Sequence, residues 1–223
     1  MKDSEIQKRI LSSLIIIPII IFFIFQDPPF FIFFLVILFL ASCNEWLKMN
    51  REYRYKIIGM LWLVTSFFLA YSLREIFSIE LFLLIIVICV FTDLGGYFFG
   101  KSLKGPKLTK ISPNKTYTGA IGGLICSIIA AIIYIEIIYV YDGTDKIFLK
   151  LINSEYELDI TFFIFVILIS LVSQIGDLII SFFKRRAKIK DTGTILPGHG
   201  GILDRIDGVI FTMPVSYLIF III

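Results

Sequence analysis

The sequence predicts an all-α integral membrane protein, a polytopic bundle of about seven transmembrane helices. Hydrophobic residues make up 58% of the 223 residues and charged residues only 17%. The mean hydropathy of +0.92 lies far outside the range of soluble domains. These apolar residues are gathered into seven runs separated by short polar segments, and runs of this kind are typical of helices that cross a bilayer.

The seven runs follow one another along the whole chain. The first run ends in a turn with two prolines and not in a small-residue cleavage site, so we interpret it as a retained span and not as a signal peptide. No repeat, linker or low-complexity segment interrupts the series, which favours a single membrane domain over 1–223. The runs cover residues 10–25, 30–47, 57–73, 81–100, 121–141, 160–183 and 209–223.

The distribution of basic residues predicts the orientation. With the N-terminus inside, 18 of the 21 lysines and arginines lie in connecting segments that face the cytoplasm, and only Arg74, Lys146 and Lys150 face outward. This asymmetry follows the positive-inside rule. It places two polar segments, 93–119 and 174–208, on the cytoplasmic face of a membrane of the bacterial inner (plasma) membrane type.

Asp177 is a carboxylate inside the sixth apolar run. A charged side chain there costs about 2.5–3.5 kcal/mol on insertion scales, so such residues usually have a function. We expect a cation to balance it, either a metal ion or a neighbouring lysine or arginine.

The segment that follows is rich in groups that bind phosphate. Asp204 and Asp207 are three residues apart and would share one face if a helix begins near Ile202. Paired carboxylates of this kind suit Mg²⁺ bound together with substrate phosphates. Glycines would let the backbone approach a ligand and present N–H groups to it. The cations expected to hold phosphate oxygens are Lys184, Arg185, Lys190 and Arg205, and the glycines are Gly198, Gly200 and Gly201.

Each feature also has a purely structural interpretation. The basic cluster can flank a membrane helix, residues 204–207 can start a helix with an internal ion pair, and Asp177 can lock two helices through a lysine. The only histidine, His199, is as typical of a loop as of an active site. Glu45, beside Trp46 at the end of the second run, is interpreted as a membrane-interface residue and not as a ligand. The density of these features within 174–208 favours a site for nucleotide phosphates.

Two motifs carry a family resemblance. The pattern S-x-x-K-R-x-x-x-x-K-D-x-G-x-x-x-P-G-H-G-G-x-x-D-R-x-D runs from Ser181 to Asp207 and resembles the signature of the phosphatidate cytidylyltransferases, or CDP-diacylglycerol synthases. Upstream, D-x-G-x-Y-x-x-G from Asp93 and I-S-P-x-K-T-x-x-G from Ile111 are similar to a second block of the same enzymes. Where that family often has Trp-Glu, this chain has Tyr117-Thr118, so an acidic residue is missing. The two blocks cover about a quarter of the chain.

The resemblance implies that the cytidylyl group of CTP is transferred to phosphatidate, giving CDP-diacylglycerol and pyrophosphate. It implies CTP, phosphatidate and the lipid bilayer as partners and no nucleic acid, with a homodimer left open. The implied catalytic residues are Asp177, Lys184, Arg185, Lys190, Asp191, His199, Asp204, Arg205 and Asp207. The implied substrate-binding residues are Ser112, Lys115, Thr116, Ser181, Pro197, Gly198, Gly200 and Gly201. Mg²⁺ or another divalent cation would be held by Asp93, Asp177, Asp204 and Asp207.

Two other functions are weighed against this one. A related CTP-dependent enzyme, such as a polyprenol or phytol kinase or an ether-lipid cytidylyltransferase, would share the buried acids and lysines, but the complete second motif disfavours the kinases. A cation-coupled transporter would use Asp93 and Asp177 as its ion path, but the internal repeats common in transporters are not found. Asp207→Ala separates the classes, because a transporter should tolerate it and a nucleotidyltransferase should not.

Overall fold

The structure is a computed structural model that describes residues 2–109, 111–142, 159–196, 198 and 200–222. Pro197 and His199, both predicted site residues, lie outside the described residues. The regular elements in the described part of the chain are helical. They are α1 Lys2–Ile24, α2 Pro28–Met49, α3 Tyr53–Ser72, a π-helical turn Leu73–Phe77, α4 Ile79–Leu103, α5 Tyr117–Asp142, α6 Ile160–Arg186, α7 Leu203–Ile206 and α8 Val209–Ile222.

The apolar helices match the seven predicted runs. In the described ranges, five helices are long and apolar enough to cross a membrane, and two shorter apolar helices accompany them. The fold class is therefore an all-α polytopic membrane bundle, as the sequence predicts. The five are Pro28–Met49, Tyr53–Phe77, Ile79–Leu103, Tyr117–Ile138 and Ile160–Arg186, and the shorter two are Leu14–Ile24 and Val209–Ile222.

Several helix ends extend further into the polar segments than the hydropathy runs do. α3 begins at Tyr53, so the connection from α2 consists of residues 50–52 only. α6 continues to Arg186, so Lys184, Arg185 and Arg186 form its last turn. Cations at this end of a helix are favoured, because they face the negative end of the helix dipole.

The first of two compact units comprises residues 1–67 and 183–206. Its α2 begins with two prolines in the first turn, where the missing N–H groups cost nothing. Near the other end of α2 the indole of Trp46 donates to the carbonyl of Tyr55 (3.0 Å) and meets the ring of Phe183 edge-on. A Cβ on Gly59 would lie 1.9 Å from the indole, so this glycine lets α3 approach α2. These contacts fix the end of α2 that carries Glu45.

The second unit comprises residues 68–182 and 207–223. The Ser78 hydroxyl caps α4 by accepting the N–H of Leu81 at 3.1 Å. α4 and α5 approach each other through glycines, since a Cβ on Gly95 would lie 2.7 Å from the Cβ of Cys126. This close pair carries the first motif block. Because the chain divides into two units, each made of separate segments, the single membrane domain stays a prediction.

Candidate functional site

The predicted site residues that the structure describes are organised in two clusters, one in each unit. The loop cluster belongs to the first unit and is built around the segment 190–204. The helix cluster belongs to the second unit and is built where α6 meets the segment that precedes α5. The loop cluster contains Glu45, Lys184, Thr192, Gly201 and Asp204. The helix cluster contains Lys115, Asp177 and Ser181, and Asp93 and Asp207 belong to the same unit.

Asp204 is the centre of the loop cluster. One carboxylate oxygen accepts the ammonium of Lys184 at 2.7 Å. The other accepts the backbone N–H groups of Thr192 at 2.7 Å and Gly201 at 3.0 Å. The side chains of Lys184 and Asp204 are 12% and 6% exposed, so this is a buried ion pair. It ties the last turn of α6 to both ends of the Gly-rich loop.

The ionisation of Asp204 follows from these contacts. Burial by itself raises the pKa of the carboxyl, but the hydrogen bonds from Lys184, Thr192 and Gly201 outweigh burial and hold that pKa below its usual range. Asp204 is therefore a stable anion at neutral pH. Its oxygens already accept three hydrogen bonds, which favours a role in shaping the loop.

The loop itself is a tight turn. Leu196 and Gly200 exchange two backbone hydrogen bonds, of 3.0 and 3.1 Å. Gly198 and Gly200 have φ angles of 75° and 88°, a region that other residues rarely adopt. Gly201 is buried, and Gly198 is exposed. Glycine therefore suits the backbone conformation of this turn, while the approach of its N–H groups to a ligand stays a prediction. Arg185, Lys190, Asp191 and Arg205, the other predicted site residues of the unit, are exposed.

Glu45 is the residue that the sequence analysis misjudged. Its side chain belongs to α2 and is buried, with 2% of the residue exposed. Its carboxylate accepts hydrogen bonds from the hydroxyl of Thr192 and from the N–H groups of Ile202 and Leu203. The assignment to the membrane interface is wrong. The reasoning applied to Asp177, that a carboxylate in an apolar run needs a partner, would have identified it.

Asp177 in the helix cluster has the cationic partner that the sequence predicts. Its carboxylate forms an ion pair with the ammonium of Lys115 and accepts the hydroxyl of Ser181 at 3.2 Å. The side chains of Lys115 and Asp177 are each 25% exposed. Lys115 comes from the first motif block and Asp177 and Ser181 from the second. The two blocks therefore meet within the second unit.

The segment before α5 holds Lys115 in place through its backbone. The N–H of Leu108 donates to the carbonyl of Lys115 at 2.8 Å, and that of Lys115 donates to Ser112 at 3.1 Å. Thr116 follows at the N-cap of α5, where its hydroxyl accepts the N–H of Gly119 at 3.1 Å. The structure thus gives Thr116 a capping contact, while substrate contacts of Ser112 and Thr116 stay a prediction.

The capping contact makes a testable prediction. Thr116→Ala is expected to lower the free energy of unfolding by about 1 kcal/mol, because an orphan N–H is left at the start of α5. Thr116→Ser keeps the acceptor and should melt within a degree or two of the wild type. The measurement is the melting temperature in detergent. Equal melting of the two variants would contradict the cap.

The remaining carboxylates differ from their predicted placement. α7 ends at Ile206, so Asp204 and Asp207 do not share one continuous helix. Asp207 is buried, and one of its oxygens accepts the N–H of Gly208 at 2.9 Å. Asp93, expected to be buried, is exposed on α4.

The backbone at Asp207 packs against α6. A Cβ on Gly176 would lie 2.9 Å from the backbone carbonyl of Asp207. The described residues hold no group of three or more His, Cys, Asp or Glu side chains that could bind a metal ion by themselves. The four predicted ligands therefore do not form a ready-made cage in this part of the chain.

Comparison with known proteins agrees with the motifs. The profile of the Cytidylyltransferase family matches residues 55–223. The chain belongs to this family. The match begins at the start of α3 and includes both motif blocks.

Individual relatives extend the match towards the N-terminus. A phosphatidate cytidylyltransferase of Rickettsia bellii is 32% identical over 97% of this chain and 91% of its own length, and one of Rickettsia typhi is 32% identical over 97% and 92%. One of Staphylococcus haemolyticus is 43% identical over 58% of this chain, a match that covers 45% of that protein. The chain is thus similar nearly end to end to the rickettsial proteins and spans less than half of the staphylococcal one.

Proposed function

We propose that this protein transfers the cytidylyl group of CTP to phosphatidate, giving CDP-diacylglycerol and pyrophosphate. The observation that carries the proposal is the ion pair between Lys115 and Asp177, whose carboxylate also accepts the hydroxyl of Ser181. This ion pair joins the two motif segments within one unit. The names of the relatives that align over most of the chain support it.

Cytidylyl transfer to phosphatidate requires neutralisation of phosphate charge more than it requires a general base. A phosphate oxygen of phosphatidate, already an anion, attacks the α-phosphorus of CTP. The bond from that phosphorus to the bridging oxygen breaks, and pyrophosphate leaves with the electron pair. Catalysis then consists of positioning the two phosphates in line and offsetting their negative charge.

The motif cations supply that charge. Lys115 and Lys184 are each held beside an aspartate, so each ammonium has a fixed position before a ligand arrives. Triphosphate oxygens can take over part of each ammonium's hydrogen bonding, because an ammonium has three donors. The exposed Arg185, Lys190 and Arg205 neutralise the nucleotide or lipid phosphates, and His199 donates to a phosphate.

The helix cluster suits Mg²⁺ in donor chemistry. Mg²⁺ is commonly bound by one or two carboxylates together with substrate phosphates, so a cage of three protein ligands is not needed. Asp177 and Asp207 would hold the ion, with Asp93 as a further ligand. When bound, the ion would neutralise the triphosphate. Asp204 is reassigned from this set to the loop, since its oxygens already accept three hydrogen bonds.

We place the protein in a bacterial-type inner membrane with both motif segments at the cytoplasmic face, where CTP is available. The concentration of 18 of the 21 basic residues in the segments on that side supports this orientation. A homodimer is compatible with the proposed mechanism.

The deciding experiment follows the fate of two labels. Purified protein in detergent is given dioleoyl phosphatidate, Mg²⁺ and CTP labelled with ³²P at either the α or the γ position. We expect the α label to enter the lipid extract, the γ label to leave as pyrophosphate, and both events to stop when a chelator is added. Transfer of the γ label to the lipid, or to a lipid alcohol added in a parallel reaction, would instead identify a kinase. No transfer of either label by folded protein would reject the proposal.

A further inference from the structure

Glu45 is a buried carboxylate outside both motif segments. It lies on α2, and its oxygens are 2.8–2.9 Å from three donors. Those donors are the hydroxyl of Thr192 and the N–H groups of Ile202 and Leu203, all neutral groups of the Gly-rich segment. A charge with 2% exposure persists only if hydrogen bonds replace its water. The hydrogen bonds from the Gly-rich segment therefore offset the lost hydration of the Glu45 carboxylate. The same hydrogen bonds hold the backbone of that segment in place.

Two carboxylates together close the base of the loop. Thr192 gives its hydroxyl to Glu45 and its N–H to Asp204. At the other end of the loop, the N–H of Gly201 donates to Asp204, and the N–H groups of Ile202 and Leu203 donate to Glu45. Residues 192 and 201–203 are thus tied to one another through side chains from α2 and α7. The described residues of the loop between them are 193–196, 198 and 200.

Gly193 and Gly201 pack tightly against the carboxylate of Glu45. A Cβ on Gly193 would lie 2.5 Å from one carboxylate oxygen of Glu45, and a Cβ on Gly201 would lie 2.4 Å from the other. Both glycines therefore lie directly against the carboxylate. A substitution at Glu45 is therefore expected to disturb both ends of the loop, near Gly193 and near Gly201.

We propose that Glu45 is a positioning residue for the nucleotide-binding loop. This inference rests on the proposed function, since it assigns to Glu45 the task of holding residues 192–203 and, through Asp204, Lys184 in the conformation that receives the triphosphate of CTP. Glu45 does not touch the reacting atoms. It removes the cost of ordering the loop when CTP binds, which is how a preorganised site gains affinity.

The test compares Glu45→Gln with a matched control on the same helix. Glutamine has the shape of glutamate, but its NH₂ group must face one of the loop donors, so at least one hydrogen bond is lost. Ser42→Ala removes another buried polar group of α2, whose hydroxyl donates to the carbonyl of Leu38 within the same helix. The readouts are the KM for CTP, the KM for phosphatidate, the melting temperature and hydrogen–deuterium exchange of residues 192–203.

We expect Glu45→Gln to raise the KM for CTP about tenfold or more, to leave the KM for phosphatidate within about twofold, and to accelerate exchange at Ile202 and Leu203. Ser42→Ala should match the wild type in both KM values and in exchange. A wild-type KM for CTP with unchanged exchange in Glu45→Gln would overturn the proposal. So would equal rises in both KM values, which would point to general destabilisation.

A milder variant keeps the test decisive if Glu45→Gln does not fold. Thr192→Val removes one of the three donors and keeps the Thr192 N–H that binds Asp204. It should raise the KM for CTP by a few fold and accelerate exchange in 192–203, and the absence of both effects would overturn the proposal. If the wild-type protein makes no lipid product from CTP, the proposed function fails, whereas the exchange experiment still decides whether Glu45 holds the loop.

Discussion

Asp177→Asn is expected to lower the rate of cytidylyl transfer by about a thousandfold, the largest effect expected of any single substitution in the chain. The change removes the charge that Lys115 faces and an oxygen that suits Mg²⁺. Losing one preorganised electrostatic group at a site of phosphate chemistry costs about 10²–10³ in rate, and here a cation is left without its counter-charge as well. The measurement is transfer of the α label of CTP to lipid at saturating substrates.

Asp159→Asn is the matched control, because it makes the same substitution at the opposite end of α6. Asp159 accepts the N–H of Ile160 at the N-cap, a position where asparagine serves as well as aspartate. The double variant Lys115→Asp/Asp177→Lys then separates two roles. The double variant restores an ion pair between α6 and the segment before α5, but the ammonium and the carboxylate have exchanged positions. It should therefore fold and stay inactive. Recovery of activity in the swapped pair would mean that the contact is structural only.

The sequence predicted the helices well because burial in lipid leaves a strong signal. Each hydropathy run corresponds to an apolar helix, and the errors lie at polar ends, as with Lys184, which hydropathy assigns to a loop and which lies on α6. A helix continues through basic residues when its dipole and its neighbours favour them. Such extensions are decided by packing, which composition does not report.

The partners of the buried carboxylates could not be read from the sequence. The need for a cation beside Asp177 was foreseeable from its cost in an apolar run, but Lys115 lies far away along the chain. Glu45 received the wrong interpretation for the same reason. It stands at a helix end, where a carboxylate can reach water, and its donors Thr192 and Leu203 come from a segment more than a hundred residues later.

The spacing of Asp204 and Asp207 shows the limit of pattern arguments. A spacing of three residues places two side chains on one face of a helix only if the same helix contains both residues. α7 ends at Ile206, before Asp207. The motif contains both residues, but it does not say that Asp204 accepts hydrogen bonds from the loop while Asp207 lies in the turn before α8.

Asp204→Asn and Lys184→Met are expected to lower activity about a hundredfold each and to differ in stability. Asp204→Asn leaves a buried ammonium and two N–H groups facing an amide, so a loss of about 3–5 kcal/mol is expected. Lys184→Met leaves a carboxylate that still accepts two N–H groups, so its loss should be smaller. Melting in detergent and label transfer measure the two effects. Equal stabilities would contradict this division of roles.

The pH dependence of the same pair gives an independent check. Since its contacts hold the pKa of Asp204 below its usual range, the stability that the carboxylate contributes is complete above the unfolded pKa of about 3.9 and is lost as the pH falls through the lower, folded pKa. The difference in melting temperature between the wild type and Asp204→Asn should therefore be constant from about pH 5 to 8 and shrink below about pH 4. A difference that already falls between pH 7 and 5 would show that burial dominates over the hydrogen bonds. Asp204 would then bind a proton near neutral pH, and the loop would not have the fixed negative charge that orients Lys184.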